Sequence, residues 1–326
     1  MKFEVTQHHE MKTPTNLITY VFVDLETTGL PAHELNKTRI TELSMVAVKR
    51  QHILDTRPGA TPRVQHKLTL CLNPLRRIDD GATATTGLCN DLLEHEPQFN
   101  SQTFTIIDNF LNILSQPVCL IAQNGLGFDF PILKNHLVKL KLDFTSDILC
   151  ADCYHAFYDI EQKFKQVEKK LISNSNTEGG VENGEKKEDD FSPNKAEVPS
   201  SPSSSKQTDV DDIDYFTSNI LMQAKNETTP KVTRVARVPH NVSKGRRQLF
   251  PWGDGPKPKD SYKLGKIYER VLNKKAIDTH RAENDCIFAL EISVAWNKEF
   301  VNWVDLNHDK FSDIEPMAIG VPMRKK

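Results

Sequence analysis

The feature that most constrains the fold is an apolar, β-branched and aromatic run that ends in two acidic residues. It spans residues 18–26, reads Ile-Thr-Tyr-Val-Phe-Val-Asp-Leu-Glu, and is followed by a Thr-Thr-Gly turn. Such a run predicts a buried strand. Because side chains alternate along a strand, Asp24 and Glu26 project from the same face. The two carboxylates could simply lie at a solvated strand end. Alternatively, they suit Mg²⁺ or Mn²⁺, because a bound cation removes the cost of burying two like charges.

Two later stretches add more acidic residues and a histidine. Residues 118–122 form a second strand-like run, and the Asp-Phe-Pro that begins at Asp129 is typical of a helix start, where an Asp often serves as the N-cap. Further on, His280 precedes a helix predicted from about Ala282 to Trp296, with Asp285 in its first turns. An imidazole titrates near neutral pH, so His280 beside carboxylates is a candidate general base.

The three stretches become informative when they are taken together and in order. Each one is weak evidence alone, since Asp-x-Glu, a helix N-cap and a histidine before a helix are all common. Together they supply four acidic ligands and one base, namely Asp24, Glu26, Asp129, Asp285 and His280. This set suits two divalent ions and an activated water, and it therefore predicts phosphodiester hydrolysis.

The three stretches resemble the motifs of the DEDDh 3′→5′ exonucleases, and other segments resemble the three-prime repair exonuclease family. Those segments are residues 29–31, 66–74, 85–88, 261–268 and 302–305. The resemblance covers residues 18 to about 160 and about 257 to 317. It implies a DNA exonuclease that releases 5′-mononucleotides from single-stranded or frayed 3′ ends. It also implies that the four acidic residues hold two Mg²⁺ ions, for which Mn²⁺ can substitute, and that His280 deprotonates the attacking water.

The resemblance further implies which residues contact the DNA. An apolar wedge at Leu30 and Pro31 would help to unstack the terminal bases, although the pair could also be a simple turn exit. The implied substrate-binding residues are Glu26, Thr27, Leu30, Pro31, Phe128, Ser261 and Tyr262.

The chain departs from the family pattern inside the second stretch. Gln123, Leu126 and Gly127 stand where many relatives carry a cationic and an acidic residue, and Phe128 stands where a Tyr is usual. Thr85 replaces a larger apolar residue. A missing cation removes a phosphate or strand contact, which leaves activity on duplex DNA open, but none of these departures touches the metal ligands.

The fold implied by the resemblance is an α/β, ribonuclease H-like fold with a five-stranded mixed sheet flanked by helices. The third strand would form a sheet edge that pairs across a homodimer, a role that suits an unpaired strand. The strands are expected near 18–26, 39–50, 66–73, 118–122 and 147–151, and helices near 104–115, near 130–140 and after Ser261.

Composition divides the chain into one domain and three flexible parts. We expect a flexible N-terminus at 1–17, a single exonuclease domain formed by 18–160 plus 257–317, and a flexible C-terminus at 318–326. Residues 161–256 are rich in Ser, Asn, Gly and Pro and poor in aromatic residues, which predicts a low-complexity disordered insert.

Part of this insert is basic, with no acidic residue in between. It is a candidate DNA-binding arm, a nuclear import signal or a solvated linker. Its residues are Lys231, Arg234, Arg237, Lys244, Arg246 and Arg247.

The overall composition excludes some classes of protein. A net charge of −2 predicts no global attraction to nucleic acid. No apolar run approaches the roughly 20 residues that span a bilayer, and the polar N-terminus is no signal peptide, so we expect a protein of the cytoplasm or nucleus with no membrane partner. The cysteines lie mostly in apolar segments, as reduced thiols do, and the single Cys150-x-x-Cys153 pair is too little for a structural zinc.

Two other functions remain open from the sequence. A 3′→5′ exoribonuclease would carry the same motifs, because nothing in the sequence reveals how a 2′-hydroxyl is treated. A catalytically weak nucleic-acid-binding scaffold could use the basic insert, although the intact set of five site residues argues against it.

Overall fold

The computed structural model describes residues 16–175, 250–253 and 255–320. The predicted basic block and most of the predicted insert and termini lie outside these residues. The predicted domain boundaries there remain predictions.

A mixed six-stranded sheet forms the centre of the described residues, in the order β3-β2-β1-β4-β5-β6. β1 is antiparallel to β2, which is antiparallel to β3, whereas β1, β4 and β5 are parallel and β6 is antiparallel to β5. The strands are β1 (Thr19–Thr27), β2 (Ile40–Lys49), β3 (His66–Cys71), β4 (Val118–Ala122), β5 (Leu149–Asp152) and β6 (Asp309–Lys310).

The predicted α/β fold of the ribonuclease H-like type is confirmed, with the third strand at a sheet edge. The predicted number of five strands is one too few. β6 was missed because it is only two polar residues long, Asp309 and Lys310, and leaves no periodic signal in the sequence.

Helices cover both faces of this sheet. Alternation along β1 sends Tyr20 and Phe22 into one buried cluster and Val21 and Val23 into another. Asp24 continues the alternation on the side of Phe22. The helices are α1 (Arg50–Asp55), α2 (Asp80–Thr86), α3 (Asn90–Leu93), α4 (Ser101–Asn112), α5 (Asp129–Leu140), α6 (Cys153–Ser175), α7 (Leu264–Leu272), α8 (Ala282–Ala295) and α9 (Asn297–Asn307).

Helix α6 corrects the predicted start of the insert. It continues through Ser175, well past residue 161. Phe157 is fully buried, and Phe164, two turns later, contacts the ring of Trp296. The second half of α6 is rich in Lys and Glu, a composition typical of a helix surface, and the Ser-, Asn- and Gly-rich composition begins only near its end.

The end of the predicted insert is also ordered. Residues 250–253 form a turn in which the rings of Phe250 and Trp252 stack at 5.0 Å. Trp252 contacts Tyr154 and Tyr158 on α6, so aromatic packing fixes a segment that was expected to be flexible.

Two further expectations concern thiols and membranes. All six cysteines are free, as predicted. Across the described ranges, no helix has both the length and the apolar composition needed to span a bilayer.

Candidate active site

The last residues of β1 present two carboxylates to the same side of the sheet. Asp24 and Glu26 lie in register with Ser44 and Glu42 of β2. Glu26 is only 9% exposed. The strand geometry therefore confirms that Asp24 and Glu26 share a face, at the end of β1 that is adjacent to the Thr27–Gly29 turn.

Asp129 joins this end of β1 from the start of α5. Its Oδ1 accepts a hydrogen bond of 3.1 Å from the backbone N–H of Leu25, between the two strand carboxylates. Asp129 is 2% exposed, and the N-cap position of α5 belongs to Phe128. The simple N-cap role for Asp129 is therefore wrong, because its carboxylate is turned to the sheet.

A tight loop between β4 and α5 makes this approach of Asp129 possible. A Cβ on Gly125 would lie 2.7 Å from both Ala122 Cβ and Phe130 Cε2, so only glycine fits there. Asp152 fastens the loop, because its carboxylate accepts from the backbone N–H groups of Asn124 at 2.9 Å and Leu126 at 3.1 Å. Asp152 also accepts from Tyr154 N, in the first turn of α6, and so caps this helix.

The third stretch contributes His280 and Asp285 from the loop before α8 and its first turn. His280 adopts a left-handed backbone conformation with φ 65°, and its backbone N–H donates to Asp285 Oδ2 at 3.2 Å. Potential ligand atoms of Glu26, His280 and Asp285 all lie within 4.8 Å of one another. The five residues predicted from three separate stretches thus meet at one end of β1, with His280 exposed to solvent.

Sequence reasoning missed a fifth acidic residue, Glu42. It faces Glu26 from β2, and its Oε2 accepts a hydrogen bond of 2.9 Å from the backbone N–H of Ala282, the first residue of α8. The available signal was a charged residue inside the apolar second strand, next to Leu43. Glu42 therefore both adds negative charge and fixes the helix that carries Asp285.

The four clustered carboxyl groups all have raised pKa values. Burial, followed by the charges of neighbouring carboxylates, raises the pKa of Asp24 well above its usual value and that of Glu26 to about 8. Burial also raises the pKa of Asp129 to about 8 and that of Asp285 to about 6. In the part of the chain that the structure describes, no Lys or Arg forms an ion pair with any of these four.

These observations test whether divalent cations fit the cluster. Its donors are carboxylate oxygens and one imidazole, a set that hard cations such as Mg²⁺ and Mn²⁺ accept. Among the described residues, these carboxylates have no Lys or Arg partner, and a cation would offset both the burial and the mutual repulsion that raise their pKa values. The residues present therefore fit a divalent-metal site.

The residues predicted to contact substrate differ in how far they are exposed to solvent. Leu30 is 56% exposed just beyond β1, but Pro31 next to it is buried, so the exposed apolar wedge consists of Leu30 alone. Thr27 is 7% exposed and its hydroxyl donates to Gly29 O. Phe128 is half-buried against the core beside Asp129.

The two remaining substrate candidates differ in exposure. Ser261 is exposed, whereas Tyr262 is 4% exposed. The Tyr262 hydroxyl donates to Glu161 and accepts from Gln162, and its ring lies under the guanidinium of Arg270. The Tyr262 side chain thus packs in the core and has no free polar atom to offer a substrate.

No family model matches the chain. The chain is 35% identical over 159 residues to three prime repair exonuclease 2 of Mus musculus, with 47% of this chain and 66% of that protein aligned. It is 25% identical over 317 residues to three-prime repair exonuclease 1 of Bos taurus, with 94% of this chain and 72% of that protein aligned. A crystal structure of the zinc-bound complex of E. coli exonuclease I with single-stranded DNA has a TM-score of 0.34 and 16% identity, over 43% of this chain and 28% of that one.

Fold and site together define an α/β protein with a carboxylate cluster at the end of its central strand. The chain is similar to three-prime repair exonucleases 1 and 2, as the sequence resemblance indicated. The alignment with the mouse protein spans slightly less than two thirds of that protein's length.

Proposed function

We propose that this protein is a metal-dependent 3′→5′ exonuclease that acts on DNA and releases 5′-mononucleotides from single-stranded or frayed 3′ ends. The observation that carries the proposal is the convergence of four carboxylates and His280 at one end of β1, without a basic partner among the described residues. Similarity to the three-prime repair exonucleases supports the 3′→5′ direction and DNA as the substrate.

Two Mg²⁺ ions would be held by the carboxylates of Asp24, Glu26, Asp129 and Asp285, and Mn²⁺ can substitute. When bound, such ions neutralise charge on the reacting phosphate and acidify a water molecule. The protein contributes the fixed positions of the ligands. Asp129 is fixed by its hydrogen bond from Leu25 N, and the loop before Asp285 is fixed by the bond from His280 N.

His280 would act as the general base. Its ring belongs to the same group of ligand atoms as Glu26 and Asp285 but remains exposed, so a proton that it accepts can pass to solvent. The loop is held in place because Asn284 Nδ2 donates to Asp278 O at 3.0 Å. This fixes the backbone on both sides of the imidazole.

The DNA would approach from the side of the turn after β1. The exposed Leu30 provides the apolar surface on which a terminal base can unstack, and Thr27, beside Glu26, lines the approach to the last nucleotide. Phe128 offers a partly exposed ring next to Asp129.

A homodimer would form through the edge strand β3, His66–Cys71. Its outer edge is free of strand partners among the described residues. Lys67 and Thr69 of this strand both contact Glu283 in the first turn of α8, at 2.8 Å and 3.3 Å. A second copy paired here would therefore lie next to the helix that carries Asp285.

The proposed function is tested by a time course on 5′-labelled single strands of DNA and RNA of the same sequence, with Mg²⁺ or with EDTA. A ladder that shortens from the 3′ end of DNA only with Mg²⁺ is expected. A ladder on RNA alone would overturn the choice of substrate, and the absence of any ladder would overturn the activity.

A matched pair of variants connects this assay to the site. Asp285→Asn should abolish the ladder, whereas Glu283→Gln changes a carboxylate in the same helical turn that pairs with Lys67 instead. Glu283→Gln should retain activity. Equal loss in both variants would show that the turn, and not the Asp285 ligand, is being perturbed.

A further inference from the structure

A cavity of about 610 Å³ lies outside the carboxylate cluster. It is formed by the loop before β2, the segment after β3, Phe99 and the C-terminal half of α5. The segment around Ile319 closes one side, because Asn36 Nδ2 donates to Ala318 O at 2.7 Å and Gly320 N donates to Leu35 O at 2.7 Å. A cavity of this volume is in the range of small-molecule sites.

All of the Lys, Arg, Asp and Glu residues that line this cavity are basic. Lys37, Arg39, Arg76 and Lys139 contribute to its lining, and no Asp or Glu does. Arg76 is engaged elsewhere, since it pairs with Glu34 at 2.9 Å and donates to Lys37 O. Over the described ranges, the side chains of Lys37, Arg39 and Lys139 form no ion pair, so three cations remain for an anionic ligand.

An aromatic pair forms part of the same wall. The rings of Phe99 and His136 lie with their centroids 4.8 Å apart. His136 Nδ1 lies 2.9 Å from Ile132 O, which assigns the ring proton to Nδ1 and leaves Nε2 as an acceptor when the ring is neutral. Burial, together with the charges of Arg39 and Lys139, lowers the pKa of His136 to about 4, so both cations act on this ring.

An unused polar group lies at the same cavity. Thr38, which is 5% exposed, contributes to the lining, and its hydroxyl has no hydrogen-bond partner within the described residues. A buried hydroxyl without a partner is costly, and a bound acceptor would remove that cost after a small shift. Thr38 thus provides a donor beside the three cations.

The cavity is close to the proposed DNA approach but separate from the catalytic residues. Thr28 N donates to Arg39 O at 2.9 Å, which connects the cavity wall to the turn that begins at Thr27. A smaller depression lined by Leu30, His33 and Arg76 lies between them and shares Arg76 with the cavity.

We propose that this cavity binds a nucleoside phosphate, with Lys37, Arg39 and Lys139 on the phosphate and the Phe99 ring against the base. Three cations with no ion-pair partner among the described residues favour a multiply charged group over a single carboxylate. An aromatic ring beside them favours a ligand that also carries a flat heterocycle. The phosphate can belong to a free nucleotide, such as a released product, or to a nucleotide within a DNA strand.

The test measures binding to the full-length protein in EDTA, so that neither metal-bridged binding nor hydrolysis contributes. The probes are dAMP, the oligonucleotide (dT)₈ and inorganic phosphate. The variant is Arg39→Gln/Lys139→Gln, and the control is Lys298→Gln/Lys310→Gln, which removes the same charge from exposed residues outside the cavity. The readouts are the dissociation constant and the imidazole NMR signal of His136, identified by its loss in His136→Phe.

The expected result is a shift of the His136 signal with dAMP or (dT)₈, and about tenfold weaker binding in the cavity variant only. For (dT)₈, the slope of log K against the logarithm of the salt concentration should be smaller in the cavity variant by about 1.4. This difference corresponds to the loss of two phosphate contacts. If dAMP shifts the His136 signal and binds less tightly to the cavity variant, the ligand is a free nucleotide. If only (dT)₈ has these effects, the ligand is a nucleotide within a DNA strand.

Equal binding by the cavity and control variants, or a His136 signal that does not move with any probe, would overturn the proposal. A response to inorganic phosphate as strong as that to dAMP would also overturn it, because the base would then contribute nothing. Exonuclease activity in Mg²⁺ is measured separately, so failure of the cavity proposal leaves the proposed hydrolysis unaffected.

Discussion

Glu26 and Glu42 lie directly opposite each other on neighbouring antiparallel strands, although like charges in this position destabilise a sheet. Glu42 is among the charges that raise the pKa values of Asp24, Glu26 and Asp285. At the same time, it accepts the backbone N–H of Ala282. The pair therefore favours cation binding but lowers the stability of the fold when no metal is bound.

The first prediction concerns Glu42→Gln. The amide oxygen can still accept from Ala282 N, so the variant removes charge while keeping the hydrogen bond. In EDTA at pH 7.5 the unfolding temperature should rise by about 1–3 °C, from relief of roughly 0.5–1 kcal/mol of repulsion. Titration calorimetry should show about fivefold weaker Mn²⁺ binding. A lower unfolding temperature together with unchanged Mn²⁺ affinity would refute this role of Glu42.

The second prediction links stability to pH and metal. The folded-state pKa values of Glu26 and Asp129 are about 8 and that of Asp285 about 6, all above their ordinary values near 4. Groups with raised folded-state pKa values stabilise the fold while they are protonated, and this contribution is lost as the pH rises through those values. In EDTA, the contribution of these groups should therefore decrease between about pH 4 and 8.

Thermal unfolding with EDTA or Mg²⁺ at several pH values checks this sign. The increase in unfolding temperature caused by Mg²⁺ should grow with pH, because bound cations favour the ionised carboxylates. Asp129→Asn should reduce this increase. A Mg²⁺ effect that stays constant from pH 5 to 8.5 would contradict the assignment of these carboxylates as ligands.

The third prediction separates two roles of His280. Its ring is close enough to Glu26 and Asp285 to be a metal ligand as well as a base. If His280 is the base, His280→Ala should lower kcat about 10²- to 10⁴-fold while Mn²⁺ affinity stays close to that of the unmodified protein. Single-turnover cleavage and Mn²⁺ titration measure the two quantities independently. Parallel loss of cleavage and Mn²⁺ binding would instead make His280 a ligand.

The parts of the site that could be predicted from sequence are those whose local pattern already fixes their position. The ends of β1 and β4 follow from apolar runs and turn residues, so Asp24, Glu26 and Asp129 could be placed near one another. Glu42 could not, because a single acidic residue in a strand usually faces solvent, and only the strand register brings it opposite Glu26.

The elements that were missed depend on contacts between distant segments. Whether α6 continues beyond residue 161 depends in part on the contact of Phe164 with Trp296, which are far apart in the chain. The cavity next to His136 likewise brings together five segments that share no motif. The burial of Tyr262 depends on Glu161 and Arg270, which no local pattern connects to it.

The last prediction gives a structural role to the Asn-Trp-Val-Asp segment at 302–305. Both carboxylate oxygens of Asp305 accept from Arg50, at 2.8 Å and 2.7 Å, and Arg50 also donates to the Tyr20 hydroxyl at 3.0 Å. The pair joins α9 to the junction of β2 and α1, near the start of β1 and away from Asp24 at its other end. It therefore contributes to the fold and not to the carboxylate cluster.

Asp305→Asn should leave the Arg50 guanidinium without its charged partner in a largely buried position, with side-chain exposures of 21% for Arg50 and 11% for Asp305. The expected loss of stability is about 2–3 kcal/mol, which lowers the unfolding temperature by roughly 4–12 °C. Mn²⁺ affinity measured below the unfolding transition should not change. Asp91→Asn, at an exposed position on α3, provides the control and should leave both quantities unchanged. Weaker Mn²⁺ binding in Asp305→Asn would show that this pair and the carboxylate cluster are coupled through β1.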